Sequence, residues 1–307
     1  MTRIACVFPG QGSQSAGMLK ELADAHSSVL DTFNQASNIL GYDLWDLVQN
    51  DADGKLNETQ VTQPALLTAS VAVWRLLQER GLQASYLAGH SLGEYSALVC
   101  GGALAFEDAV KLTEARGQYM QQAVPAGAGA MYAIIGLDDA AITEICHQTA
   151  IATGEVVAPV NFNSPGQVVI AGEKSATEQA ASACKEAGAK RALPLAVSVP
   201  SHCELMRPAA DKLDEALSGI SIQTPAINVV NNVDVTIETE PHAIRSALVR
   251  QLYCPVQWTR SVEYLASAGV ERVIEVGPGK VLTGLIKRID KSLDAFAINT
   301  PETLAEL

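Results

Sequence analysis

Tyr86-Leu87-Ala88-Gly89-His90-Ser91-Leu92-Gly93-Glu94-Tyr95, continuing Ser96-Ala97-Leu98-Val99-Cys100-Gly101, decides the fold. The run reads as a short strand, a sharp turn carrying Gly89-x-Ser91-x-Gly93, and a helix opening at Leu92. Small residues at 89 and 93 let a strained serine stand exposed between strand and helix. The helix N-terminus leaves unsatisfied backbone N–H groups beside its hydroxyl. This is a nucleophile site in outline; the competing explanation is a chance GxSxG in a chain with 23 glycines.

The 307 residues around it suffice for one large domain with an insertion, or for two domains. A 48% hydrophobic and 18% charged composition suits a buried core. A formal net charge of −13 and a pI near 4.8 argue against nucleic acid, which needs a basic footprint, and against an anionic membrane surface. Six cysteines (Cys6, Cys100, Cys146, Cys184, Cys203, Cys254) form no CxxC pair. Neither a disulfide scaffold nor a zinc site is indicated, and reduced thiols in a cytoplasmic protein are expected. The apolar run 4–8 is too short for a signal core, and 64–77, interrupted by Arg75, falls short of a membrane span.

Residues 3–8 read as a buried strand ending at Pro9-Gly10-Gln11-Gly12-Ser13-Gln14. A dinucleotide fingerprint would need glycine at 15, where Ser15 stands. Helical periodicity covers 19–40, and a loop containing Trp45 is expected up to 57. A helix is expected over 64–81, with Pro64 in its first turn and Gly81 as its stop. Another, over 106–124, follows the helix of the serine turn. From Pro125 the pattern becomes strand 131–136, helix 138–150, strands 156–162 and 167–171 joined across Asn163-Ser164-Pro165-Gly166, helix 177–187 and strand 191–199. That βαββαβ order is the ferredoxin-like motif. Helix 204–217, strand 226–230, helices 242–252 and from 259, strand 272–276, helix 280–289 and strand 295–298 complete the chain. Gly277-Pro278-Gly279-Lys280 reads as a tight strand-to-helix turn, since a phosphate loop would need glycine at Ile274. The expected class is α/β. An α/β-hydrolase-like large subdomain (1–125 and 198–307), with a mostly parallel sheet covered on both faces, carries an inserted ferredoxin-like small subdomain (126–197).

A serine nucleophile needs a base, and the chain has five histidines. His26 and His147 fall in polar helical stretches, and His242 follows Pro241 in a charged loop. His90 adjoins Ser91, and neighbours on an extended strand point to opposite faces. His202 ends the apolar run 193–200 at a strand terminus, where α/β sheets carry their sites. Its alternative reading is a residue capping the next helix. Cys203 is set aside as nucleophile, because consecutive side chains diverge. Arg116 shares the apolar stripe of its helix with Ala109, Leu112, Met120 and Ala123, whereas Lys111, Glu114, Gln118 and Gln121 occupy the opposite face. An inward arginine needs a partner, because an unpaired buried charge is costly. It pairs with an internal carboxylate, snorkels to the surface, or presents its fork to a substrate carboxylate. Gly117 beside it leaves room for close approach.

Five segments extend the argument. Val7-Phe8-Pro9-Gly10-Gln11-Gly12-Ser13-Gln14, Thr62-Gln63-Pro64-Ala65, Gly89-His90-Ser91-Leu92-Gly93-Glu94-Tyr95, Val199-Pro200-Ser201-His202 and Glu275-Val276-Gly277-Pro278-Gly279 occur in this order. Together they resemble the bacterial malonyl-CoA:acyl carrier protein transacylases of dissociated (type II) fatty acid synthesis, over essentially the whole chain. The resemblance implies Ser91 as the acylated nucleophile and His202 as its general base. It also implies an oxyanion hole from the backbone N–H groups of Gln11 and Leu92, and Arg116 as the holder of the malonyl carboxylate. Gln251 matches the position whose main-chain carbonyl orients the histidine, and Asn161 a residue lining the pocket.

The family's reaction is a ping-pong transfer of malonyl from coenzyme A to the phosphopantetheine thiol of acyl carrier protein. The thioester is substrate and no cofactor is expected. The expected partners are malonyl-CoA and an acidic carrier protein, met by a cytoplasmic monomer. Lys190-Arg191 and Lys287-Arg288 are the paired candidates for docking the carrier, against the alternative of ordinary solvated charges. A serine hydrolase or thioesterase on the same elbow is the competing enzyme. Typical α/β-hydrolases place the histidine close to the C-terminus, whereas His202 precedes roughly the last hundred residues. A noncatalytic scaffold that binds acyl carriers is the third reading.

Overall fold

The computed structural model describes residues 2–196 and 199–307. The first half of the chain forms β1 (Ile4–Phe8), α1 (Lys20–Ala25), α2 (Ser27–Leu40), α3 (Leu44–Asn50), α4 (Thr59–Glu79), β2 (Tyr86–Gly89), α5 (Gly93–Cys100) and α6 (Phe106–Ala123). Then come β3 (Gly129–Ile135), α7 (Asp139–Thr153), β4 (Val157–Ser164), β5 (Gln167–Glu173), α8 (Lys174–Glu186) and β6 (Arg191–Pro194). The remainder forms α9 (Arg207–Leu217), β7 (Asn228–Val230), α10 (Pro241–Gln251), α11 (Trp258–Ser267), β8 (Arg272–Val276), α12 (Val281–Ile289), β9 (Asp294–Ile298) and α13 (Pro301–Ala305).

Five strands make a parallel sheet in the order β7-β2-β1-β8-β9. Alternation along the central strand shows why both faces are covered. Cys6 and Phe8 enter one apolar cluster, whereas Ala5 and Val7 enter another on the opposite face. The second sheet is antiparallel, in the order β4-β5-β3-β6. Its α7 and α8 enclose a core that includes Ile134, Ile142, Cys146, Val168, Ile170, Ala180 and Cys184. Pro165-Gly166 forms the tight link between β4 and β5, as the turn residues predict.

Four departures from the sequence reading have local causes. Residues 44–50 are helical rather than loop, because Asp43 accepts from the Asp46 N–H and Trp45 packs edge-on against Phe33 at 4.9 Å. The helix expected from Pro64 opens five residues earlier, at Thr59, so Pro64 stands inside α4. The strand expected over 191–199 ends at Pro194, which has no N–H for the ladder, and one further bond runs from the Leu195 N–H to Met131 O at 2.9 Å. Residues 197 and 198 of that expectation lie outside the described residues. The terminal helix α13, held by a Thr300–Thr303 capping box, was not anticipated.

The early start of α4 has a tertiary cause. Gly117 on α6 lies against the first turn of α4, and a Cβ there would stand 2.5 Å from Gln60 Cα. The missing side chain lets the two helices meet backbone to backbone, which brings Gln63 and Arg116 together. Gly117→Ala is expected to destabilise the fold by about 1–3 kcal/mol through overpacking. Gly284→Ala on α12, where a Cβ meets nothing within 4 Å, should be neutral or slightly stabilising. Urea midpoints for the two variants check the contrast.

Candidate active site

The carboxyl ends of β1 and β2 deliver the turns that carry Gln11 and Ser91. Gly93 fits under β1 only because it has no Cβ, which would collide with Phe8 O. Ser91 has a φ of 52°, in the left-handed region that costs a residue with a side chain on the order of 1–3 kcal/mol. Two hydrogen bonds hold it there. Its N–H donates to Asn232 Oδ1 at 2.7 Å, and its carbonyl accepts from Gln251 Nε2 at 3.1 Å.

His202 lies opposite, also left-handed with a φ of 65°, its own N–H donating to Leu252 O at 3.0 Å. Ser91 Oγ is 2.8 Å from His202 Nε2, and His202 Nδ1 is 2.6 Å from Gln251 O. A carbonyl oxygen only accepts, so Nδ1 carries the proton and Nε2 turns a lone pair to the serine hydroxyl. Burial, then the positive Arg116 nearby, pull the imidazole down from its ordinary 6.5 to about 3. The ring is therefore neutral at pH 7, the form that accepts a proton.

Arg116 is 1% exposed, as its place on the apolar stripe predicts. Nη1 donates to Gln63 Oε1 at 2.7 Å, and Nη2 donates to Gln251 Oε1 at 2.9 Å and to Ser91 Oγ at 3.4 Å. The guanidinium carbon stands 5.3 Å from the centre of the Tyr95 ring. Among the described residues no carboxylate forms an ion pair with Arg116, and its Nε–H has no partner. The structure thus excludes both an internal salt bridge and a snorkelling arginine.

A cavity of about 220 Å³ opens before these groups and is lined by Gln11, Ser91, Leu92, Arg116, Asn161 and His202, among others. Gln251 is fully buried behind them. The backbone N–H groups of Gln11 and Leu92 have no acceptor among the described residues. Lys190 and Arg191 are exposed and outside the cavity; Lys287 and Arg288 are exposed on α12, whose Val281, Leu282 and Leu285 form part of its wall. No group of three or more His, Cys, Asp or Glu side chains among the described residues could hold a metal ion. No helix among them is long and apolar enough to cross a membrane.

Several groups here are not singled out by the sequence. His90 lines the cavity, its Nε2 2.7 Å from Asn163 Oδ1, because the turn after Gly89 ends the strand alternation used to discount it. The side chain of Gln251 works as well as its carbonyl. Glu94 is 2% exposed on α5, and its Oε2 accepts from Gln251 Nε2 at 2.7 Å and from the Asn232 N–H at 3.0 Å. Asn232 Nδ2 in turn donates to Gly89 O at 2.6 Å. An acid inside the apolar run 92–100 carried the same signal as Arg116; Asn232 carried none.

A strained serine beside a neutral histidine, on a parallel α/β sheet, has the geometry of an acyl-transfer enzyme. The family model for the acyl transferase domain matches residues 5–301. The malonyl CoA-acyl carrier protein transacylase of Escherichia coli (strain K12) is 62% identical over 306 residues, covering 99% of this chain and 98% of that one. Its counterpart in Bacillus subtilis (strain 168) is 45% identical over 305 residues, covering 99% and 96%. Among solved structures, an acyl carrier protein S-malonyltransferase from Vibrio cholerae matches with a TM-score of 0.97 at 61% identity over 99% of both chains. A type II PKS acyl-carrier protein in complex with its malonyl-transacylase matches with a TM-score of 0.97 at 60% identity, over 99% of this chain and 98% of that one. The chain belongs to the malonyl CoA-acyl carrier protein transacylase family of enzymes, in line with the resemblance in its motifs.

Burial raises the Glu94 carboxyl from 4.5 to about 7, against the opposing pull of Gln251, the Asn232 N–H and Arg116. The folded chain keeps this proton to about pH 7, whereas the unfolded chain loses it near 4.5. Stability contributed by Glu94 therefore falls as pH rises through that window. His202 acts oppositely, costing stability as pH falls from 6.5 towards 3. Because Oε2 accepts both bonds, Glu94→Gln keeps them and should abolish only the first slope. The variant should gain roughly 1–3 kcal/mol over the native chain at pH 8 and much less at pH 5. Glu94→Ala should instead lower kcat by about 10- to 100-fold, through a displaced serine. Urea midpoints across pH, with kcat at pH 7, check both.

Proposed function

We propose that this chain moves malonyl from coenzyme A to the phosphopantetheine thiol of an acyl carrier protein through a malonyl ester on Ser91. Ser91 Oγ attacks the thioester carbonyl carbon while His202 Nε2 takes the hydroxyl proton. The C–S bond breaks and coenzyme A leaves with that proton. The carrier thiol then attacks the serine ester, passes its proton to His202, and the proton returns to Ser91 Oγ. The N–H groups of Gln11 and Leu92 face the oxyanion of both tetrahedral intermediates, and losing one such donor costs about 10²–10³ in rate. The Gln251 carbonyl replaces the usual acid. It keeps the proton on Nδ1 without adding a charge beside Arg116. Asn161 lines the acyl pocket. The coenzyme A thioester is substrate, and these steps call for no cofactor.

The observation that carries the substrate assignment is a buried guanidinium, 3.4 Å from Ser91 Oγ, with no carboxylate ion pair among the described residues. An acyl group ending in a carboxylate supplies that partner. The hydrolase alternative offers no use for it. We also take the protein to act as a monomer in the cytoplasm. We further propose that residues 126–197 form a subdomain inserted into 1–125 and 198–307, with a core of its own.

For the carrier we favour Lys287 and Arg288 over Lys190 and Arg191. Arg288 Nη1 donates to Gln167 Oε1 at 2.6 Å, and Gln167 borders the cavity beside half-exposed Val281. Lys190 instead lies across Gly136, on the far side of β6 from Leu195 at the cavity. An acidic carrier meeting this acidic enzyme needs such a local basic patch.

Incubation with malonyl-CoA should add one malonyl mass to the intact protein, mapped to Ser91 and absent from Ser91→Ala. An adduct elsewhere would return the serine to a structural role, and full transfer by Ser91→Ala would favour the scaffold. Arg116→Ala should cost malonyl transfer about 10- to 100-fold and narrow the preference over acetyl in competition assays. Charge reversal of Lys287 and Arg288 to Glu should raise KM for the carrier and spare that for malonyl-CoA. An unchanged carrier KM rejects this surface.

A further inference from the structure

We propose that Gln63 is a specificity-determining positioning residue, which fixes the Arg116 guanidinium while leaving its charge for the substrate to neutralise. The inference rests on the reading that Arg116 receives the malonyl carboxylate. Gln63 is 1% exposed, in the first turns of α4, and borders the cavity. Its Oε1 accepts from Arg116 Nη1 at 2.7 Å, and its Nε2 lies 3.5 Å from Met120 Sδ.

A buried arginine is usually held by a carboxylate, because a charge without a counter-charge costs several kcal/mol in a dry site. Among the described residues every acceptor on the guanidinium is neutral: two amide oxygens and one hydroxyl. The nearby acid, Glu94, spends Oε2 on Gln251 and Asn232 and contacts Arg116 only through the Gln251 amide. Gln251 cannot turn its amide over, since its Nε2 is committed to Glu94 and to Ser91 O. Gln63 is thus the one position in this first layer where a near-isosteric acid could replace the acceptor without disturbing the serine. Its amide supplies the direction of a salt bridge without the neutralisation. A malonyl carboxylate then gains a fork whose direct acceptors are all neutral, whereas an acetyl group leaves that fork without a carboxylate.

The test is Gln63→Glu, which puts a carboxylate where the amide oxygen accepts. Acylation of Ser91 by malonyl-CoA and by acetyl-CoA is measured on the same preparation, so the ratio does not depend on how much protein folds. Malonyl kcat/KM should fall about 10- to 100-fold, while the acetyl value holds or rises, so the preference collapses. Gln63→Leu, which keeps the volume and removes the acceptor without adding a charge, should lose malonyl activity but retain more of the preference than Gln63→Glu. An unchanged preference in Gln63→Glu, or equal losses for both acyl groups, overturns the proposal. Arg116→Ala run alongside separates the failures. If it loses the preference and Gln63→Glu keeps it, only the role of Gln63 is wrong; if it keeps the preference, the carboxylate clamp itself is wrong.

Discussion

One buried amide ties the site together. The Gln251 carbonyl accepts from His202 Nδ1, its Oε1 accepts from Arg116, and its Nε2 donates to Glu94 and to the carbonyl of Ser91. Histidine, arginine and the backbone of the strained serine are therefore set by a single residue at the end of α10, the first through its main-chain carbonyl and the other two through its side chain. The geometry cannot relax one member at a time. A shift of Gln251 that improved its bond to Arg116 would loosen the histidine, and one that freed Ser91 would leave Glu94 short of a donor. This interlock maintains left-handed backbone at both Ser91 and His202, which neither residue would adopt alone.

Charge is distributed around that interlock in an unusual way. Burial works against ionisation at Glu94, His202 and Arg116 alike, and the three respond differently. The imidazole stays neutral, the carboxyl holds its proton to near neutrality, and the guanidinium keeps its charge because its intrinsic pKa is so high. A Ser-His-Asp arrangement would put a full negative charge behind the histidine and close to Arg116. A carbonyl in that position orients the ring and leaves the arginine available. A histidine oriented by a carbonyl and an arginine with no carboxylate ion pair among the described residues are thus two sides of one electrostatic arrangement.

The two sheets contribute unequally. The parallel sheet brings the nucleophile turn and the Gln11 turn to adjacent strand ends, a consequence of β1 pairing with β2 in register at Phe8 and Gly89. The antiparallel sheet supplies a wall. Met131, Asn161, Gln167 and Val169 come from β3, β4 and β5 and line the same cavity as Arg116. The first sheet thus positions Ser91, and the second contributes part of the wall of the cavity in front of it.

Much of this could be read from the residues alone, because local rules and binary patterning act within a few positions. The glycine spacing around Ser91, the stripe that turned Arg116 inward, the βαββαβ order and the Gly277-Pro278-Gly279 turn all follow from short-range sterics and periodicity. What remained hidden depended on side chains distant in sequence. Gln63 meets Arg116 across 53 positions, Glu94 meets Gln251 across 157, and Asn232 meets Ser91 across 141. Glutamine and asparagine carry no periodic signature that tells a solvated amide from a buried hub. The start of α4 was missed for the same reason, since it is set by Gly117 on another helix rather than by a cap in its own sequence. The elbow, the layers and the inward arginine follow from residues near one another in the chain. Which neutral groups surround that arginine depends on the fold, because burial and long-range packing choose the partners of a charge.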